Sequence, residues 1–151
     1  MKSKQAKLKV LLDTSFILPT LGIDVGDEVS MSLKKLANIK AELYYSRFNI
    51  LESLWVAARF TKSPTFNMER FSHGLRSIIE SERYEKVEED SETFKEALRL
   101  YVLGHKDMID NMFYAASSIL NLKLLTLDTE LKEFIHDKGL RDTLITLGQI
   151  A

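Results

Sequence analysis

The chain has 151 residues, 45% of them hydrophobic and 28% charged, and a formal net charge of −1. This length and composition fit one globular domain that can bury a core without cross-links. Because the sequence contains no cysteine, disulfide scaffolds, thiolate metal sites and cysteine nucleophiles are excluded. The near-neutral charge argues against a protein that coats nucleic acid through bulk positive charge. A polyanionic substrate would therefore have to be held locally or through a metal ion.

The first half of the chain alternates between short apolar runs and stretches of helical spacing. The aliphatic run over 8–12 predicts a buried strand that stops at Asp13. An apolar turn follows, interrupted at Pro19, and then a polar loop over 24–30. The remaining elements predicted in this half are a helix over 31–39, a strand over 41–45, and helices over 47–61 and 68–81.

The second half continues the same alternation. The helix predicted over 92–103 ends at Gly104, and the helix over 107–120 begins with acids, which suits the positive end of a helix. The other predicted elements are a short strand near 84–87, a strand over 123–126, a short helix over 130–136 and a last strand over 143–147. Such alternation predicts an α/β fold. We expect a single three-layer domain over 1–151, with its core at about 8–147 and a central, mostly parallel sheet flanked by helices.

Two of the predicted strands end within a residue or two of an aspartate, Asp13 or Asp128. In a parallel sheet the carboxyl ends of all strands lie along one edge, where ligands bind. Two more acids can reach that edge from helices. Glu52 lies one to two turns into the helix after the second strand, and Asp110 lies in the first turn of the helix over 107–120. The sequence therefore directs four carboxylates toward one edge of the sheet.

Each of these acids also has a purely structural interpretation. Asp13 and Asp128 could cap the helices that follow them. Asp107 has the spacing of an N-cap, with Asp110 at the third position of the helix. Glu52 lies between two leucines, so it either points to solvent or faces the core, where an unpaired carboxylate would be costly.

Four carboxylates in one cleft need compensation. Two like charges about 4 Å apart repel each other by roughly 4 kcal/mol at an effective dielectric constant of about 20, so either their pKa values rise or a divalent cation binds. Oxygen ligands without thiolates indicate Mg²⁺ or Mn²⁺. Such a site suits phosphodiester hydrolysis, because a metal ion lowers the pKa of bound water and neutralises charge on the leaving oxygen.

Around these acids the sequence resembles the PIN domain, the nuclease fold of VapC-type toxins and several RNA-processing proteins. The similar segments are 10–15, a hydrophobic strand before Asp-Thr-Ser; 50–54, with a helical Glu; 110–117, an Asp before a helix of small residues; and 124–131, with Thr-x-Asp. The spacing of 18 positions from Asp110 to Asp128 also matches the family. Leu131 departs from the family, in which an aromatic residue is common at this place.

The resemblance implies a metal-dependent ribonuclease. Its catalytic and metal-binding residues would be Asp13, Glu52, Asp110 and Asp128, which would hold one or two Mg²⁺ or Mn²⁺ ions. The ions would activate water against an RNA phosphodiester and leave a 5′ phosphate and a 3′ hydroxyl. The side chains expected to surround and orient the carboxylates are Thr14, Ser15, Thr126 and Asp107. Turn and cap chemistry is the alternative interpretation of these four.

Partners and alternatives follow from the same resemblance. It implies RNA as substrate, a homodimer built on apolar residues of the helices over 47–61 and 68–81, and, for the toxin of a VapBC-type pair, an antitoxin protein. One alternative is a non-catalytic PIN-like module that binds RNA or protein, although a dead copy would have no reason to keep all four acids. Another is a receiver-type signalling domain, for which only Lys123 could serve as the late-strand lysine.

No secretory signal or membrane span is predicted. The first nine residues carry four lysines, but the apolar run over 8–12 is too short for a signal peptide and ends at Asp13. No stretch reaches the roughly 18 apolar residues of a membrane span, so we expect a cytoplasmic protein. The three histidines are expected at the surface: His73, His105 and His136. Four aromatic residues are expected in the core or in helix contacts: Trp55, Phe60, Phe66 and Phe71.

Overall fold

A computed structural model describes residues 6–150 of the chain; Lys2 and Lys4 of the basic N-terminal stretch lie outside this range. Its centre is one sheet of five strands, all parallel, in the order β3-β2-β1-β4-β5. The strands are β1 (Lys9–Leu12), β2 (Glu42–Tyr45), β3 (Tyr84–Lys86), β4 (Lys123–Leu125) and β5 (Leu144–Ile145). The predicted α/β class with a parallel sheet is confirmed.

Six helices cover the sheet. They are α1 (Asp27–Asn38), α2 (Arg47–Phe60), α3 (Met68–Ile79), α4 (Ser91–Leu103), α5 (Met108–Leu120) and α6 (Thr129–Asp137). The predicted elements agree with these bounds to within a few residues, except at the start of α1. Side chains at the N-caps of α2 to α6 accept a hydrogen bond from the first turn of each helix, which explains where these helices begin.

The central strand divides the core into two layers. Val10 and Leu12 of β1 pack on one side with residues of α1, α2 and α3, whereas Leu11 packs on the other side with residues of α4, α5 and α6. All three are fully buried, because alternate side chains of a strand point to opposite faces and both faces of this sheet are covered. The three-layer arrangement predicted from the sequence is confirmed.

The segment between β1 and α1 differs from the prediction. The polar loop expected over 24–30 is wrong, because α1 begins at Asp27. Asp27 and Glu28 occupy the first turn, where the helix dipole favours acids, and Val29 is buried. Before α1 the chain forms two short 3₁₀ turns, Thr14–Phe16 and Leu18–Leu21, where the sequence indicated an apolar turn broken by proline.

The aromatic residues divide between core and surface. Phe71 is buried, but Trp55 is 66% exposed and Phe60 is also exposed, so of the two expected places, core or helix contact, the core is wrong for Trp55 and Phe60. Both belong to α2, whose buried face is made by Asn49, Ser53 and Ala57 instead. Within residues 6–150, no helix is long and apolar enough to cross a membrane.

Candidate active site

Asp13 follows the central strand at its carboxyl end. Its backbone N–H continues the pairing with β4 by donating to the carbonyl of Leu125, at 3.0 Å. The hydroxyl of Thr126 donates to Asp13 Oδ2, at 2.8 Å. Burial raises the pKa of the Asp13 carboxyl, and the charge of Asp128 adds to this rise, while the Thr126 hydroxyl and the N–H groups of Thr14 and Ser15 oppose it.

Asp110 and Asp128 meet at the same edge. Asp110 lies in the first turn of α5, and Asp128 is the N-cap of α6, where it accepts from Glu130 N at 2.9 Å and Leu131 N at 3.2 Å. One oxygen from each carboxyl group and one ring nitrogen of His105 lie within 4.8 Å of one another. The edge therefore gathers acids from two helices that are separate in sequence.

The pKa values of this pair diverge. Burial, the hydrogen bond to Asp128 and the neighbouring acids raise the pKa of Asp110 to about 9. Burial also acts to raise the pKa of Asp128, but the hydrogen bond from Asp110 and the two backbone N–H groups outweigh it and hold that pKa below its ordinary value. The two pKa values are therefore shifted in opposite directions, as is typical of two acids that interact at close range.

Glu52 reaches the site through Thr14. The Thr14 hydroxyl donates to Glu52 Oε1 at 2.5 Å and accepts from Asn49 Nδ2 at 3.1 Å. Burial raises the pKa of Glu52, with the charges of Asp13 and Asp107 in the same direction, and the Thr14 hydrogen bond opposes it. Glu52 thus neither faces open solvent nor enters the core; it is half-buried and lines a groove of about 350 Å³ together with Asp13.

The expected surrounding residues divide into two kinds. Thr14 and Thr126 donate to the acids, as described above. Asp107 is exposed and accepts from Asp110 N at 3.1 Å, so it caps α5. Ser15 lines the groove, but within residues 6–150 its hydroxyl makes no hydrogen bond to the four acids. The structural interpretation and the site interpretation do not exclude each other, because Asp128 caps α6 and also lies in the acidic cluster.

The sequence did not identify three polar residues of this region: Asn49, His105 and Asn111. Asn49 is fully buried and donates through Nδ2 to the carbonyl of Leu12, at 3.0 Å, as well as to Thr14. His105 is buried beside the Phe134 ring and hydrogen-bonded to the buried Asn111, so the expectation of a surface position is wrong for it. The available signal was its place in the sequence, between the end of α4 and Asp110.

The acids have no cationic partner in the described range. The ion pairs among residues 6–150 are Lys86–Glu88, Arg99–Glu96 and His136–Asp137, none of them at this edge. Clustered carboxylates without a cationic partner, three of them with raised pKa values, fit a divalent metal ion, since oxygen donors are what Mg²⁺ and Mn²⁺ prefer. Lys123 lies exposed at the start of β4, at the opposite edge of the sheet, which excludes the receiver-type arrangement.

Comparison with known proteins gives one family. The family model of the PIN domain matches residues 10–136. The crystal structure of VapBC2 from Rickettsia felis bound to a DNA fragment from their promoter contains a chain similar to this one, with a TM-score of 0.59 and 16% identity over 84% of this chain and 93% of that one. The crystal structure of PAE2754 from Pyrobaculum aerophilum gives a TM-score of 0.56 and 20% identity over 90% of each chain. These two likenesses concern the fold. No curated protein sequence matches the chain.

Proposed function

The chain belongs to the PIN domain family, and we propose that it is a metal-dependent ribonuclease that hydrolyses RNA phosphodiester bonds. The observation that carries this proposal is that carboxylate oxygens of Asp110 and Asp128 lie within 4.8 Å of each other, at the edge of the sheet where Asp13 follows β1. Carboxylates held this close repel one another, and a divalent cation bound between them removes that repulsion. Within this activity, the chain acts either as the toxin of a VapBC-type pair or as an RNA-processing enzyme.

We assign metal binding to four residues: Asp13, Glu52, Asp110 and Asp128. When bound, one or two Mg²⁺ or Mn²⁺ ions lower the pKa of a water molecule and neutralise charge on the phosphate and the leaving oxygen. The protein supplies the geometry. Thr126 fixes the Asp13 carboxylate, Thr14 fixes Glu52, and the first turn of α6 fixes Asp128. Because the donors are held before substrate arrives, little reorganisation is needed during the reaction.

The groove beside the acids supports RNA as the substrate. Glu52, Trp55 and Arg59 follow one another along one side of α2 and line the groove that also contains Asp13. Trp55 presents a largely exposed ring, on which an unpaired base can stack. Arg59 is exposed and, within residues 6–150, forms no ion pair. Its guanidinium is therefore available to bind an RNA phosphate in the same groove as Asp13 and Glu52.

The test is metal binding and RNA cleavage measured on the same samples. Mn²⁺ is titrated into the protein by calorimetry, and cleavage of a labelled single-stranded RNA is followed with and without the metal. We expect the wild type to bind and cleave, and Asp13→Asn and Asp110→Asn to lose both. Asp137→Asn, at an exposed aspartate at the end of α6, is the matched control and should retain both.

Two results would contradict the proposal. A wild type that binds no Mn²⁺ at millimolar concentration has no metal site, and the chain is then a non-catalytic PIN-like module that binds RNA or protein. A wild type that binds Mn²⁺ but leaves every RNA intact has the site without the activity. Loss of function in Asp137→Asn would show that the assay reports general damage rather than the acids.

We also propose a homodimer, formed through an apolar face shared by α2 and α4. Both helices carry exposed apolar side chains, and the ring of Phe48 in α2 lies edge-on to that of Phe94 in α4, with centroids 6.2 Å apart. The exposed members of this face are Leu51, Leu54, Phe94, Leu98 and Val102. The sequence pointed to α2 and α3 instead. Exposed apolar side chains in such number are typical of a subunit interface.

The VapBC2 structure supports a further partner for this chain, an antitoxin protein. That complex contains a PIN-like chain with a partner and is bound to DNA of their promoter. We propose that a small DNA-binding antitoxin pairs with this chain in the cytoplasm. A chain without cysteine suits a reducing compartment, and the proposed RNA substrate is present there. Co-purification of a small protein that inhibits the RNA cleavage would support this partner.

A further inference from the structure

A nitrogen donor lies among the oxygen donors of the acidic edge. A ring nitrogen of His105 is within 4.8 Å of carboxylate oxygens of both Asp110 and Asp128. His105 stands in the short connection between α4 and α5 and is buried. Its ring also contacts that of Phe134, at a centroid distance of 5.2 Å. The imidazole is therefore held at the site by packing rather than free to turn to solvent.

The hydrogen bonds of Asn111 determine which nitrogen of His105 carries the proton. The Asn111 side chain touches His105 twice: Nδ2 donates to the His105 carbonyl at 2.8 Å, and Oδ1 lies 2.7 Å from the ring Nδ1. A carbonyl can only accept, so the amide nitrogen of Asn111 must face it and the amide oxygen must face the ring. Nδ1 is then the donor, and Nε2 of the neutral imidazole keeps its lone pair.

This arrangement is typical of a histidine that binds a metal ion. Metal-binding imidazoles usually donate their other N–H group to a protein oxygen, which fixes both the tautomer and the ring orientation. Here the buried Asn111 provides that oxygen, and it follows Asp110 directly in α5. A histidine with a merely structural role could make the same bond to Asn111. It would not need a ring nitrogen close enough to two carboxylates for all three groups to bind one ion.

We infer that His105 is a further ligand of the divalent metal ion, binding through Nε2 beside Asp110 and Asp128. This inference rests on the proposed function, because it concerns the same metal site. Imidazole nitrogen is a softer donor than a carboxylate, and Mg²⁺ prefers oxygen ligands alone. His105 therefore shifts the preference of the site from Mg²⁺ toward Mn²⁺.

The test reads the ligand directly and does not depend on activity. Pulsed electron paramagnetic resonance of the Mn²⁺-loaded wild type is recorded with protein of natural isotope content and with protein labelled with ¹⁵N-histidine. We expect modulation from a bound ¹⁴N nucleus in the first sample and its replacement by ¹⁵N modulation in the second. Because the wild type itself is measured, the result does not require any variant to fold.

Variants then identify the histidine and its effect on affinity. In His105→Gln we expect the nitrogen modulation to disappear and the Mn²⁺ affinity to fall by about tenfold or more, with a smaller change for Mg²⁺. His136→Gln replaces an exposed histidine of α6 and should change neither quantity. Thermal unfolding of both variants without metal shows whether the loss of affinity is a loss of fold.

The outcomes distinguish this inference from the function on which it rests. Mn²⁺ binding without nitrogen modulation in the wild type overturns the role of His105 and leaves the acidic metal site intact. The inference is also overturned if His105→Gln binds Mn²⁺ as tightly as the wild type does and binds Mg²⁺ as tightly as the wild type does. A wild type that binds no Mn²⁺ overturns both the inference and the proposed function. If the nitrogen modulation survives in His105→Gln and disappears in His136→Gln, the metal-bound histidine is His136 and the inference is wrong.

Discussion

Carboxylate oxygens of Asp110 and Asp128 lie within 4.8 Å of each other, although each residue belongs to the start of a different helix. Asp128 also caps α6 through two backbone N–H groups, which help to hold its pKa below the ordinary value, whereas burial and the neighbouring acids raise the pKa of Asp110 to about 9. The pKa values of the two carboxyl groups are thus shifted in opposite directions within one site, by burial and by the helix end. These shifts make the free energy of unfolding of the metal-free protein depend on pH.

The stability of the metal-free protein should fall as pH rises. Between the ordinary pKa of 3.8 and a folded pKa of about 9, the folded protein holds a proton on Asp110 that the unfolded chain releases. The free energy of unfolding therefore decreases with pH across that range. The raised pKa values of Asp13 and Glu52 act in the same direction, whereas the lowered pKa of Asp128 matters only below pH 3.8. Urea unfolding in the presence of EDTA at several pH values measures this slope.

Asp110→Asn should remove most of that slope. Asparagine cannot ionise, and its Nδ2 can donate to Asp128 as the protonated aspartate does. At pH 8 we expect the metal-free variant to be more stable than the wild type by about 1–3 kcal/mol, with a smaller difference at pH 5. An unchanged slope in the variant would mean that another group holds the proton. Asp137→Asn, at an exposed carboxyl, provides the reference.

Thr14→Val should weaken metal binding without a large loss of stability. The substitution keeps the shape but removes the hydroxyl that donates to Glu52 and accepts from Asn49. We expect destabilisation by about 1 kcal/mol and a fall in Mn²⁺ affinity of roughly tenfold, because Glu52 loses its fixed orientation. Calorimetry compares it with Thr65→Val, which removes an exposed hydroxyl far from the acids in sequence. Equal Mn²⁺ affinity in all three proteins would contradict the role of Thr14.

Asn49→Leu should be strongly destabilising. Asn49 accepts from Ser46 N at 2.7 Å and donates to the carbonyl of Leu12 and the hydroxyl of Thr14. Leucine has a similar volume but leaves the buried Ser46 N–H and the Leu12 carbonyl without this partner, at about 1–3 kcal/mol for each group that water cannot reach. We expect a loss of about 3 kcal/mol or more in chemical unfolding. A loss below about 1 kcal/mol would show that other groups replace the amide.

Gly74→Ala should disturb the packing of α3. A Cβ atom at this position would lie 2.2 Å from the carbonyl oxygen of Thr20 and 2.8 Å from the Cα of Leu21, both backbone atoms that cannot turn aside. We expect destabilisation by about 2–3 kcal/mol. Gly148→Ala is the matched control, because a Cβ there meets nothing within 4 Å. Equal melting temperatures for the two variants would contradict this contact.

Leu98→Lys should convert the proposed dimer into a monomer. Leu98 is an exposed residue of α4 between Phe94 and Val102 of the apolar face, and a buried lysine without a partner would be costly in an interface. Light scattering at micromolar concentration should give twice the monomer mass for the wild type and the monomer mass for the variant. Met31→Lys, at an exposed residue of α1, should leave the dimer intact. A monomeric wild type would end the proposal of a homodimer.

The sequence predicted the elements well because their causes are local. Apolar periodicity and caps such as Asp107 and Asp128 act within a few residues, and they determine where α5 and α6 begin. The acids could be directed to one edge because parallel strands share that edge. The contacts that orient them could not be predicted, since Asn49 to Leu12 and Thr126 to Asp13 join distant parts of the chain. His105 was missed for the same reason: its burial depends on α5 and α6 packing around a loop.

The strand order also determines when the site can exist during synthesis. Asp13 follows the central strand, and the hydroxyl that orients it comes from Thr126, 113 residues later. A ribosome therefore makes Asp13 and Glu52 long before β4 and Asp128 are available to pair with them. The nascent chain carries only half of the acidic edge until α5 has been made. The proposed ribonuclease thus lacks the complete set of acids until translation has passed Asp128.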